Sequence, residues 1–103
     1  MRPSFHVEES VSQLGAHIKT ARLRRRMPQA VVAERAGISL NTLSKIENGD
    51  CGVSIGNLTA VLHSLGFTSP WESVANPGED MTGMLLDERR LPQRARVTRK
   101  DKE

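Results

Sequence analysis

Asn41, Thr42, Ser44 and Lys45 place an amide, two hydroxyls and an ammonium within one short stretch, with no carboxylate among them. An amide that both donates and accepts, hydroxyls that do either and a cation that only donates are groups that suit the groove and phosphates of a DNA duplex. A second set acts through charge alone. Lys19, Arg22, Arg24, Arg25 and Arg26 fall together with no acid between them, making a local positive field on a chain whose formal net charge is only +3. Bond-breaking chemistry finds no comparable pattern. His6, His17 and His63 are scattered, Cys51 has no base near it in sequence, and neither a glycine-rich phosphate loop nor a paired-carboxylate motif occurs. No catalytic residue is expected. One cysteine and three histidines without ligand spacing also argue against a metal, and no cofactor is implied.

The polar set needs a helix to present it. Ser39 is a good N-cap for a helix that carries Leu43 and Ile46 at i and i+3 and is ended by Asn48-Gly49, leaving Asn41, Thr42, Ser44 and Lys45 exposed. Just before it, a helix from Gln29 places Val32, Ala33 and Ala36 on one apolar face and stops at Gly37, which enters a left-handed turn without a Cβ clash. Two short helices joined by a glycine turn make a helix-turn-helix, and they are too short to bury enough surface alone. The scaffold is expected from a helix over about 10–26 with Val11, Leu14, Ile18 and Ala21 inward, and a helix over about 55–65 with Ile55, Leu58, Leu62 and Leu65 on one face. Ser54 is the natural cap of the latter and Gly66 ends it. A fifth helical turn, SPWESVA, has Ser69 as cap, Pro70 at its first position and Trp71 and Val74 as its apolar side. Residues 1–9 read as an arm, 10–76 as the DNA-binding domain and 77–103 as a tail. In that tail MTGMLLDERRLP can form a short amphipathic helix, whereas QRARVTRKDKE is too polar to build a core.

From Leu14 to Leu65 the chain resembles the XRE or Cro/CI-like helix-turn-helix domains of phage repressors and bacterial regulators. LGAHIKTARLRRR matches their first helix, QAVVAERAGIS the second helix and turn, LNTLSKIENG the recognition helix and VSIGNLTAVLHSLG the fourth. The resemblance implies an all-α, five-helix, lambda-repressor-like domain with a flexible C-terminal tail. Pro28 departs from the Ser or Thr usual at the head of helix 2, a place where proline is tolerated. By position in the motif, Leu40, Asn41 and Lys45 are implied to reach base edges: Asn pairs with adenine, Lys donates to guanine and Leu packs on a thymine methyl. Gln29, Thr42, Ser44 and Asn48 are implied at phosphates, with Arg24, Arg25 and Arg26 supplying field near the backbone. Arg22 and Glu47 stand where the family often ties helix 1 to the recognition helix. Blander roles stay open: Leu40 as a core residue, Ser44 as a solvated position, and the arginine run as a solvated helix end that offsets the helix dipole.

A length of 103 residues and 37% hydrophobic content allow one small helical core. Phe5, Phe67 and Trp71 are the aromatic residues, so a platform that stacks the bases of single-stranded RNA is not expected and duplex DNA fits better. The lone cysteine suits a reducing compartment, and MRPSFHVEES holds no long apolar stretch, so a cytoplasmic protein without a membrane span is expected. A domain this small reads few base pairs, and the family pairs two recognition helices about one DNA turn, ~34 Å, apart; a homodimer on a near-palindromic operator follows. Phe67, Trp71 and Val74 offer apolar area for pairing, with Trp71 as a mere cap of the core the other reading. The C-terminal third is similar to small regulators paired with HipA-like kinases in toxin–antitoxin operons. Met81, Met84, Leu85 and Leu91 would then meet the toxin, since methionines adapt to partner surfaces. The expectation is an autoregulating antitoxin. The alternatives are a stand-alone XRE-family regulator and an interaction module that has lost DNA binding.

Overall fold

The computed structural model describes the backbone of residues 2–94 and the side chains of residues 2–90. Among the described residues there are five α-helices and no strand: α1 Phe5–Arg24, α2 Gln29–Ala36, α3 Leu40–Glu47, α4 Ile55–Ser64 and α5 Met81–Arg94. The all-α architecture with a helix-turn-helix at α2–α3 is the one expected. Two compact units divide between Pro70 and Trp71, ahead of the boundary expected after Asn76.

In the first unit, α1 packs on α3, and α2 packs on both α3 and α4. Their shared core is Ile18 from α1, Val32 and Ala33 from α2, Leu43 and Ile46 from α3, and Val61, Leu62 and Leu65 from the end of the unit. Full burial of an aliphatic side chain of this size contributes roughly 1.5–3 kcal/mol. The helix ends follow from the local sequence. Ser39 and Ser54 cap α3 and α4, each hydroxyl accepting from a backbone N–H three residues on at 3.0 Å. α2 ends in a Schellman motif: Gly37, at φ 72°, donates to Glu34 O at 3.1 Å, and Ile38 donates to Ala33 O at 3.0 Å. The same closure ends α3, with Gly49 at φ 78° donating to Ile46 O and Asp50 to Lys45 O. It also ends α1, where Arg26 stands in the left-handed region at φ 54° without glycine's freedom.

Several sequence expectations are corrected. α1 begins at Phe5, so residues 5–9 belong to this helix and not to an arm: Ser4 caps it by accepting from the Val7 N–H at 3.2 Å, and Glu8 in the first turn offsets the dipole. This added turn buries little apolar surface, so no hydrophobic periodicity announced it. On α4, Ile55 is 68% exposed, and Val61, absent from the expected stripe, is fully buried. At about 100° per residue the buried stripe centres between Leu58 and Leu65, and Ile55 falls at its margin in the first turn. SPWESVA is not a helix. Residues 70–75 form turns that end at Ala75, a non-glycine residue at φ 55°.

The fifth helix lies beyond it, in the segment taken as tail. A 3-10 turn at Pro77–Glu79 leads to Asp80, whose carboxylate accepts from the Gly83 N–H at 2.9 Å and heads α5. Met81, Met84, Leu85 and Leu86 are exposed on it. Leu91 falls in α5 but outside the described side chains, and the basic end after Arg94 lies outside the described residues.

Candidate nucleic-acid interface

The candidate interface starts from a buried ion pair. Arg22 of α1 donates through Nε to Glu47 Oε2 at 2.6 Å and through Nη2 to Glu47 Oε1 at 3.1 Å, with the two side chains 8% and 2% exposed. Arg22 Nη1 also donates to Met27 O at 2.9 Å, and Gln29 Nε2 donates to Glu47 Oε1 at 3.0 Å. One carboxylate at the end of α3 thus ties α1 to the first residue of α2, while Arg22 itself holds the α1–α2 connection. A two-pronged, hydrogen-bonded geometry of this kind offsets the desolvation of a buried pair. Gln29, implied at a phosphate, has one amide N–H directed at Glu47.

A second tie is made by backbone. A Cβ built on Gly15 would lie 2.5 Å from Ile46 O and 2.8 Å from Glu47 O, and one on Gly49 would lie 2.6 Å from Ser12 Cα. α1 therefore approaches the last turn of α3 closer than any side chain allows. Leu43, Ile46 and Glu47 face inward along α3. At about 100° per residue, the face turned away from them carries Asn41, Ser44, Lys45 and Asn48. Asn41, Lys45 and Asn48 are exposed and Ser44 is half-buried. Leu40 is 51% exposed at one edge of that face, so it is not a core residue. Thr42, at the other edge, is half-buried, and its Oγ1 accepts from Ser39 Oγ at 2.9 Å as part of the cap.

Arg24, Arg25 and Arg26 are all exposed at the end of α1. Arg25 is engaged locally: Nη1 donates to Ala21 O at 2.9 Å, and the guanidinium lies 5.2 Å from the Phe67 ring centroid. Phe67, 42% exposed, closes one side of an apolar groove with Leu14, His17, Ala21 and Leu62. Trp71 and Val74 belong to the other compact unit, where Trp71 is half-buried and Val74 62% exposed. In the absence of a helix there, Trp71 and Val74 do not make the i, i+3 apolar side expected of them.

Sequence reasoning missed one part of the surface beside α3. The chain turns back after Gly49 and leaves a cleft of about 410 Å³ lined by Thr42, Lys45, Asp50, Gly52, Ser54 and Asn57, so two residues of the expected contact set share it with a carboxylate. Asp50 carried no signal beyond its place after an Asn-Gly helix end. Cys51, beside it, is an exposed free thiol in the turn. Among the described residues no helix is long and apolar enough to cross a membrane. Residues 13–70 match a family described as a helix-turn-helix domain. Comparisons with curated proteins and with solved structures give no match.

Proposed function

From the chain's membership in the helix-turn-helix domain family, to which it belongs over residues 13–70, we propose that this DNA-binding regulator is a sequence-specific transcriptional repressor of the XRE type. It acts as a cytoplasmic homodimer on a near-palindromic operator and catalyses no reaction of its own. The observation that carries the reading is the outward face of α3. Asn41, Lys45 and Asn48 stand in solvent, with Ser44 half-buried beside them, while the helix beneath them is anchored by the Arg22–Glu47 pair. Presenting polar side chains from a rigid element is what groove reading requires, because a base-edge hydrogen bond tolerates little displacement.

In this reading Leu40, Asn41 and Lys45 meet base edges, Gln29, Thr42, Ser44 and Asn48 hold phosphates, and Arg24 to Arg26 supply the field. Phe67 with its groove contributes to pairing of two copies. The regulator is further read as the autoregulating antitoxin of a HipA-like kinase. This is supported by the exposed Met81, Met84 and Leu85 on one side of α5, with Asp87 and Glu88 beside them, an adaptable apolar surface with an acidic rim. A gel shift with the promoter region of the chain's own gene tests the repressor: a discrete complex that resists random competitor DNA is expected, and binding no tighter than to random duplex refutes it. Truncation after Gly78 tests the antitoxin, because operator affinity should persist while capture of a HipA-like kinase encoded by the neighbouring gene is lost. A shortened chain that still holds the kinase leaves α5 without that role and makes a stand-alone regulator the better description.

A further inference from the structure

Among the described residues Asp50 is the one acid lining the cleft beside α3, and its carboxylate is fixed in place. Its backbone N–H donates to Lys45 O at 3.0 Å as part of the α3 closure, and its Oδ1 accepts from the Gly52 N–H at 2.7 Å. Asp50 is exposed, and among the described residues no cation lies within ion-pair distance of it, although Lys45 lines the same cleft. A carboxylate can only accept hydrogen bonds. A DNA phosphate presents only acceptors and a negative charge, so one seated in this cleft would gain from Lys45 and Thr42 but be opposed by Asp50. The donors that a major groove offers are the exocyclic amino groups of cytosine and adenine.

We propose that Asp50 is a specificity-determining residue of the DNA interface: beside Lys45 it disfavours a phosphate and admits an exocyclic amino group of a base. The inference rests on the reading of α3 as the DNA-facing helix. Its effect is to weaken binding to arbitrary sequences, where the protein is held by phosphates alone, more than binding to the operator, because an unfavourable contact with the wrong partner widens the gap between right and wrong.

The test is Asp50→Asn, whose side-chain oxygen still accepts from the Gly52 N–H, with Asp50→Ser as a second variant that also retains an acceptor. Each is titrated by fluorescence anisotropy, beside wild type and Lys45→Ala, against a pool of random-sequence duplexes over a salt series, and the sequences that wild type and Asp50→Asn retain from the pool are compared. Asp50→Asn should bind the pool about five- to tenfold more tightly at ~0.1 M salt, with a log–log salt slope steeper by about one unit. Its retained sequences should lose a preference for cytosine or adenine at one position per half-site. If Lys45→Ala changes binding while neither Asp50 variant moves affinity, slope or preference, Asp50 only holds the turn and the inference is overturned. If Lys45→Ala is inert as well, the DNA-facing assignment of α3 fails and takes the inference with it.

Discussion

The two compact units use apolar residues in opposite ways. Before Pro70, aliphatic side chains from four helices meet in a buried core, and polar partners inside are matched to the last oxygen of Glu47. From Trp71 to residue 90 no side chain is buried, and Met81, Met84, Leu85 and Leu86 of α5 lie open. Both stretches are helical, so helix formation alone does not separate them. What separates them is whether each apolar face has a neighbour. A short helix in water is marginal without tertiary packing, and the difference teaches that the described apolar side chains of α5 leave it without the support that the first unit's helices draw from their core.

The contrast should break hardest at the ion pair. Arg22→Ala leaves Glu47 buried and unpaired and is expected to cost about 3–5 kcal/mol, read as a lower urea midpoint. Gly15→Ala comes next: its methyl group meets two carbonyl oxygens of α3, and the forced separation should cost roughly 1–3 kcal/mol in the same unfolding experiment, with a loss of operator affinity as α3 shifts. Asn41→Ala and Lys45→Ala should leave the urea midpoint near wild type while discrimination between operator and random DNA falls by about 1–3 kcal/mol each, measured by competition titration. Arg24→Ala should weaken both DNAs alike and make the salt slope shallower by about one unit. In the second unit, Met84→Ala and Leu85→Ala should change the stability of the chain by less than about 0.5 kcal/mol, because each side chain lies at the surface and neither is buried. A loss of several kcal/mol there would erase the distinction between the units.

The elements legible in the sequence were those with local punctuation. Gly37, Ser39, Ser54 and Gly49 each act through a hydrogen bond or a dihedral angle within a few residues, and α2, α3 and α4 lie where these residues put them. The start of α1 was missed because Phe5 and Val7 in its added turn stay exposed, so the apolar spacing that marked the helix begins only at Val11. The exposed Ile55 and buried Val61 exchanged expectations because a first-turn residue sits at the edge of the stripe, which no count of spacing shows. SPWESVA carried helix-start residues but no apolar face that packs. Arg22 and Glu47 were paired from the resemblance alone, since their meeting depends on how α1 crosses α3. Asp50 could not be seen at all, because the cleft it lines is made only when the chain folds back past Gly49.

If α3 is the helix that meets a duplex, as proposed, the backbone contact at Gly15 and Gly49 also limits what it can do there. A helix held this closely at its C-terminal turn would resist sliding along its axis or rotating to suit a poor sequence, so less ordering entropy would be spent in fitting it. Misfit must then be taken up by the DNA. Steps that bend or narrow easily would be favoured even where no side chain touches them, since the energy of deforming a duplex depends on the bases being deformed. A close join between two backbone segments, made possible by two missing methyl groups, would thereby move part of the selection from the protein's contacts to the mechanics of the double helix.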